Sequence, residues 1–376
     1  MAVRHAALDR APVSGLTHTF YRYPARFSPQ FAAAAIEAFS QPGDLILDPY
    51  MGGATTIVES IARGRRAVGC DLNSLAVFIA RAKTSILCAD DRKALKYWAD
   101  SVVPTLSYWL TPDDLDDFVC AHRTQNLTLP TARPIKKVLT LALRSLSELT
   151  DGATTFARCA LLNAGQWALN GSGQQPNLNK FRERLQTTVH EMLAGVEALG
   201  ERIDRRYSPP VLINDSSARI GQHEPFVSGG KASLAVTSPP YPGIHMLYHR
   251  WQVDGRRESA APYWLAECDD GHGASFYNFA YRSENAADKY FAESLKTLTA
   301  VRQVMRDGAV FVQLIAFANP TRHLPRYLAN MQKAGFGEVR PGHRRIWRCV
   351  PSRRWHATFK GTLPSSREVV LIHEAV

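Results

Sequence analysis

Residues 44–71 read as a strand, a turn of small residues, a helix and a second strand, and few folds accommodate that order. Residues 44–47, Asp-Leu-Ile-Leu, suit a short strand. They are followed by Asp48-Pro49-Tyr50-Met51-Gly52-Gly53-Ala54-Thr55-Thr56 and a helical stretch to about residue 63. Gly52 and Gly53 let the backbone approach a ligand closely, and the helix beyond the turn begins with free N–H groups. The next strand, 66–70, runs into Asp71-Leu72-Asn73, and Asp71 lies 23 residues after Asp48. An acidic residue at the end of the second strand, at that spacing, can accept hydrogen bonds from a ribose diol. The competing role for Asp71 is to cap the helix that begins at Ser74. No Gly-Lys-[Ser/Thr] follows the glycines, which disfavours a nucleoside triphosphate.

A second short strand, 232–236, ends in Thr237-Ser238-Pro239-Pro240-Tyr241. Proline has no N–H for the ladder and fixes φ, so the strand stops there. A hydroxyl, two stiff residues and an aromatic ring are therefore held at a strand end, the place where open α/β sheets bind ligands. This arrangement suits a planar base bearing an amino group. Ser238 and a proline-fixed carbonyl can accept the amino hydrogens, and Tyr241 can stack on the ring. The plainer reading is that the two prolines only punctuate a strand-to-loop junction.

The rest of the chain sorts around these two units. Ser28 can cap a helix with Pro29 at its first position. Residues 85–206 break the α/β rhythm, with helical spacing near 92–109, 134–149, 154–169 and 180–205. The sheet resumes at 210–213, ahead of Asp215, and again at 309–317 after a helix over 288–305. A further helix is expected near 322–334, and 343–350 with 367–374 can close the sheet as an antiparallel pair. The expected divisions are therefore 1–84, the first half of an α/β core; 85–206, a helical insertion; and 207–376, the second half, with loops at 243–285 left for target recognition.

Charge points to a polyanionic partner. The formal net charge is +11, and residues 340–367 hold eight Lys or Arg and no acid, with Trp347, Trp355 and Phe359 interleaved. Cations there, Arg344, Arg345, Arg348, Arg353, Arg354 and Lys360, suit phosphates, and the aromatic faces suit unpaired bases. A solvated charged face is the alternative. The six cysteines include no C-x-x-C pair, so neither a metal site nor a disulfide framework is expected, and a reducing cytoplasmic setting fits. The first 15 residues carry no apolar leader and no stretch is apolar enough to cross a membrane.

Taken together, these residues resemble the S-adenosylmethionine-dependent amino-group DNA methyltransferases. The cofactor turn of that family has the form D-P-F-x-G-x-G-T-T. Asp48 to Thr56 is similar to it, with Tyr50 for the phenylalanine and Ala54 for the last glycine. Tyr23-Pro24-Ala25-Arg26-Phe27-Ser28-Pro29 resembles its N-terminal cofactor-pocket motif, and Ser238 to Tyr241 its S/D/N-P-P-Y/F catalytic motif. The resemblance implies a Rossmann-like α/β fold, a mostly parallel seven-stranded sheet with an antiparallel pair at its end, to which the helical insertion is added. It implies S-adenosylmethionine as cofactor, held by Tyr23, Pro24, Phe27, Asp48, Pro49, Tyr50, Gly52, Gly53 and Thr55. Asp71, Leu72 and Asn73 would serve the ribose, and Asp215 the adenine. It implies catalysis by Ser238, Pro239, Pro240 and Tyr241, without a metal, on a base flipped out of duplex DNA. A cognate restriction nuclease is a candidate partner that the sequence leaves open.

Within the family a serine at the head of the catalytic motif accompanies cytosine more often, and Asp or Asn adenine. The expected product is therefore N4-methylcytosine, with N6-methyladenine as the alternative. No Pro-Cys dipeptide is present, which disfavours methylation at ring carbon. An RNA methyltransferase and a non-catalytic nucleic-acid-binding module remain open. The co-occurrence of Asp48, Asp71 and Ser238 argues against the latter.

Overall fold

The computed structural model describes residues 2–9, 11–23, 27–107, 123–127, 129–171, 175–203, 207–241, 250–255, 257–269, 286–317, 319–339, 341–349 and 367–376. The chain opens with α1 (Ala2–Leu8) and α2 (Pro29–Phe39), then alternates through β1 (Leu45–Asp48), α3 (Thr55–Ile61), β2 (Arg66–Cys70) and α4 (Ser74–Thr84). Among the described residues there follow α5 (Ala89–Tyr97), α6 (Arg133–Arg144), α7 (Asp151–Leu169) and α8 (Leu178–Gly200). Then come β3 (Val211–Ile213), β4 (Ala232–Thr237), β5 (Trp251–Val253), β6 (Arg257–Ser259) and α9 (Ala261–Ala266). The chain finishes with α10 (Ala286–Val304), β7 (Met305–Ala316), α11 (Pro320–Lys333), β8 (Phe336–Glu338), β9 (Ile346–Cys349) and β10 (Arg367–Ala375).

Among the described residues the main sheet has eight strands, running β3-β2-β1-β4-β7-β10-β8, with β9 also on β10. β1 to β4 and β7 are mutually parallel, and β10 is antiparallel to its neighbours. The expected antiparallel pair, β9 with β10, forms in the register Arg367↔Cys349 to Val370↔Ile346. The sheet exceeds the expected seven strands because the other half of the same β10 edge pairs with β8. A three-residue strand such as β8 carries too little alternation to be seen in sequence.

The strands read as apolar runs because helices cover both faces, as parallel sheets require. Side chains alternate between two cores: Leu45 and Leu47 join Phe311 and Leu371 on one face, and Ile46 joins Leu234, Val236 and Val312 on the other. The second face also takes Val3 and Ala7 of α1 and Phe31 and Ile36 of α2. A third core belongs to the helices between β2 and β3. It gathers Leu95, Trp98, Leu139, Phe156, Phe181 and Val189, and also Phe20, Tyr21 and Tyr23 from the N-terminal segment and Trp251 and Tyr263 from β5 and α9.

Several local expectations shift. Ser28 precedes α2 without a side-chain cap bond, and its hydroxyl turns to Gln30 Oε1 at 2.7 Å. Asp71 does not cap α4; Asn73 does, accepting from the Leu75 N–H at 3.0 Å. The stretch read as loops at 243–285 contains β5, β6 and α9. Its described part is bonded to α7, with Arg158 donating to Leu265 O at 3.1 Å, and to the residues just beyond α7, with the Gly171 N–H donating to Gln252 O at 2.9 Å.

Candidate functional site

The sheet order reverses direction at β1. The chain builds outward through β2 and β3, then returns to lay β4 on the other side of β1. Such a switch point leaves a crevice at the C-terminal strand ends, and both motif turns leave the sheet there. Thr237 at the end of β4 donates to Asp48 Oδ1 at the end of β1, at 2.5 Å, and so bridges the crevice floor. The Thr56 hydroxyl donates to Val236 O at 3.1 Å, a second tie between the first turn and β4. Asp48 is 1% exposed. Burial raises its pKa to about 6, against the lowering effect of hydrogen bonds from Thr237 and the Tyr50 N–H.

The turn after β1 is shaped from several sides. Gly52 has a φ of 42° and Ala54 one of 60°, so two residues of the turn lie in the left-handed region, where glycine is normally favoured. A Cβ on Gly52 would stand 3.2 Å from the Tyr23 ring, and a Cβ on Gly69 of β2 would stand 2.4 Å from Met51 Sδ. The fully buried Lys83 of α4 donates to Gly53 O at 2.7 Å. Tyr50 donates its hydroxyl to Thr297 of α10 at 2.8 Å. Ser217 holds the Pro49 carbonyl from beyond β3. Thr55, at the first turn of α3, is buried.

Asp71 closes one side. Its Oδ2 accepts from the Gly52 N–H at 2.9 Å and its Oδ1 from the Asn73 N–H at 2.8 Å. Burial lifts its pKa to about 6 in spite of those two donors. Each carboxylate oxygen retains a further lone pair, which is what a vicinal diol requires. Asn73 is drawn into structure: its Nδ2 donates to Tyr23 Oη at 3.2 Å and its Oδ1 accepts from Tyr263 at 3.0 Å. Leu72 offers its carbonyl to Asn214 at 3.0 Å. Phe27 is buried edge-to-face on Phe31, with ring centroids 5.7 Å apart. Pro24 lies outside the described residues. Asp215 is committed to Arg219 and to His223 Nε2, the latter at 2.8 Å. Burial would raise its pKa, but bonds from Arg219, His223 and the Ser216 N–H outweigh it and hold the group at about 2.

On the Ser-Pro-Pro-Tyr side, Ser238 is partly exposed and donates to Tyr241 Oη at 3.1 Å. Tyr241 donates onward to Glu368 Oε1 at 2.8 Å, and Pro240 O accepts from Tyr290 at 2.7 Å. The Tyr241 ring is buried, so its hydroxyl is the group the structure places in this chain of bonds. Thr237 and Glu368 were not singled out from sequence. Thr237 stands inside the motif, but Glu368 follows Tyr241 by 127 residues and no spacing rule links them.

The basic C-terminal stretch is less free than its composition suggests. Arg345 makes a bidentate pair with Glu338, at 2.6 and 2.8 Å, and Arg348 pairs with the buried Glu368 at 2.7 Å. Both acids lie just outside the acid-free window, at its two ends. Arg367 sets its guanidinium 5.2 Å from the Trp347 ring. Arg344 is exposed and lines a groove with Arg4, His343 and Trp347. Arg353, Arg354 and Lys360 lie outside the described residues.

The switch-point crevice thus gathers a glycine turn, a buried acid with lone pairs to spare and a Ser-Pro-Pro-Tyr strand end at one edge of an α/β sheet. Residues 9–81 match the DNA methylase family of the N6/N4 type. It is 40% identical over 73 residues to the type II methyltransferase M.MvaI of Kocuria varians, covering 19% of this chain and 16% of that protein. It is 32% identical over 66 residues to the type II methyltransferase M.MjaII of Methanocaldococcus jannaschii, covering 18% and 12%. The chain thus spans less than a fifth of the length of these relatives. Among solved structures, the rRNA methyltransferase aviRa of Streptomyces viridochromogenes overlays with a TM-score of 0.35 at 12% identity, covering 100% of this chain and 97% of that one. The matched stretch holds the turn from Asp48 to Thr56 and Asp71, but not Ser238.

Proposed function

We propose that this chain is a DNA methyltransferase that uses S-adenosylmethionine and acts on the exocyclic amine of a base, N4 of a flipped-out cytosine. The carrying observation is the 2.5 Å bond from Thr237 to Asp48, which joins the catalytic-motif strand end to the cofactor turn across the switch point. The residues present suit the cofactor: a turn held to one shape by Tyr23, Met51 and Lys83, and an acid with lone pairs to spare for a diol. When bound, S-adenosylmethionine supplies an electrophilic sulfonium methyl.

The residues of the chain then do the orienting. An aromatic amine is a poor nucleophile because its lone pair is delocalised into the ring. Accepting its two N–H groups at Ser238 Oγ and the Pro239 carbonyl draws density back onto nitrogen. Ser238 and the Pro239 carbonyl would thus hold the amine for attack on the methyl that S-adenosylmethionine would supply, the thioether leaving with the electron pair and the spare amine proton passing to water. Holding the two centres about 3–3.5 Å apart supplies most of the rate. Extruding the base costs about a few kcal/mol of unstacking, recovered by contacts in the pocket. Cytosine is favoured because the motif opens with a short serine rather than Asp or Asn. Arg344 and its groove suit duplex phosphates.

Nucleoside mass spectrometry on plasmid DNA and on transfer RNA incubated with the purified chain tests this. N4-methylcytosine in DNA, lost in Ser238→Ala, is the expected result. N6-methyladenine would overturn the base assignment, and product only in RNA would overturn the substrate.

A further inference from the structure

The motif serine is the end of a hydrogen-bonded chain that runs into the far side of the sheet. Ser238 Oγ lies 3.1 Å from Tyr241 Oη, which lies 2.8 Å from Glu368 Oε1. Glu368 Oε2 accepts from Arg348 at 2.7 Å. Glu368 sits on β10 opposite Ala316 of β7 and is 1% exposed. Arg348 gives it the counter-charge that a buried carboxylate requires, and is itself anchored by donating to Ala7 O at 3.2 Å.

Proton counting gives this chain a direction. A carboxylate paired with arginine only accepts, so the single Tyr241 proton goes to Glu368. The Tyr241 oxygen is then left as acceptor, and the single Ser238 proton goes to it. Ser238 Oγ can offer only lone pairs to whatever lies on its other side. Without Glu368, either hydroxyl could turn, and Ser238 could donate as readily as accept.

We infer that Glu368 is a positioning residue that, through Tyr241, fixes Ser238 as an acceptor and makes the site read an amino group against a keto oxygen. The inference rests on the methyltransferase reading above and deepens it. The pairs it separates, cytosine from uracil and adenine from hypoxanthine, differ by that exchange of donor for acceptor. An acceptor facing an amine gains a hydrogen bond; the same acceptor facing a keto oxygen meets another acceptor and leaves both desolvated.

The test measures binding without turnover as well as rate. Duplexes carry the sequence that the chain itself modifies, with either the amino base or its keto counterpart at the target, and S-adenosylhomocysteine fills the cofactor place. Wild type should prefer the amino duplex by about 10-fold or more, the worth of one good hydrogen bond. Glu368→Gln can present an amide N–H2 to Tyr241 and reverse the chain, so the preference should fall to about 3-fold or less and kcat should drop about 10- to 100-fold, with KM for S-adenosylmethionine unchanged. Tyr241→Phe leaves the Glu368–Arg348 pair intact and should lose the preference equally. The double variant should show no smaller amino preference than Tyr241→Phe alone, because Glu368 reaches Ser238 through that hydroxyl. A full amino preference in Glu368→Gln, or additive losses in the double variant, overturns the inference and leaves the methyltransferase reading standing. Absence of methyl transfer by wild type overturns that reading instead.

Discussion

Thr237→Val isolates the bond that bridges the switch point. The exchange keeps side-chain volume but removes the hydroxyl, leaving Asp48 buried with one donor fewer. Asp48 Oδ1 then retains the Tyr50 N–H at 3.1 Å, and the 2.5 Å bond is gone. At pH 8 the carboxylate is ionised, since its pKa stands at about 6. A hydrogen bond to a charged group contributes about 1.5–3 kcal/mol, so a loss near 2 kcal/mol is expected. At pH 5 the group is largely protonated and the bond is between neutral partners, worth about 0.5–1.5 kcal/mol. The folded pKa lies above the unfolded value of about 3.9, so the contribution of Asp48 is greatest below pH 4 and is lost as pH rises through 6. Without Thr237 the folded pKa moves higher still, and the decline steepens. Urea denaturation at the two pH values should show a deficit of about 1 kcal/mol at pH 5 growing to about 2 kcal/mol at pH 8. Equal deficits at both, or less than about 0.5 kcal/mol at pH 8, would refute the account of Asp48 as a charge held by Thr237.

Three further outcomes follow from the same geometry. Gly69→Ala would drive a methyl to 2.4 Å from Met51 Sδ and 3.1 Å from Ile57 Cδ1; a stability loss of about 1–3 kcal/mol in urea denaturation is expected, with weaker S-adenosylmethionine binding in calorimetry. Affinity for S-adenosylmethionine should fall as pH drops below about 6, where Asp71 takes up a proton and ceases to be a pure acceptor, and Asp71→Asn should bind weakly without that pH dependence. Arg344→Glu should weaken DNA binding and lower its salt slope by about 1, whereas Arg345→Ala, which breaks the bidentate pair with Glu338, should reduce stability and leave the slope alone.

What the sequence made legible was local. Residues 44–71 carry their own strand, turn, helix and strand within 28 positions, and the strand at 66–70 was placed to the residue because apolar run, glycine and acid all agree. Ser238 and its prolines are likewise a contiguous signal. The partners that give those residues their chemistry are not contiguous. Asp48 meets Thr237 across 189 residues, and Tyr241 meets Glu368 across 127. Sequence spacing has no term for pairing set by strand order. The basic stretch misled for the same reason: Glu338 and Glu368 stand outside the window yet neutralise Arg345 and Arg348 through β8, β9 and β10. Asn73 also caps α4 and joins two tyrosines, roles that sequence spacing does not show because its neighbours come from distant parts of the chain.

That junction has a thermodynamic side. Tyr263 of α9 grips Asn73 at 3.0 Å, Asn73 grips Tyr23 at 3.2 Å, and the Tyr23 ring lies where a side chain on Gly52 would be. In the proposed reading, α9 belongs to the part of the chain that would recognise the target, and Gly52 to the turn that would hold the cofactor. Two sites joined through one asparagine share a coupling free energy, and that energy has no direction. Whatever factor a bound duplex applies to cofactor affinity through α9, a bound cofactor must return to the duplex.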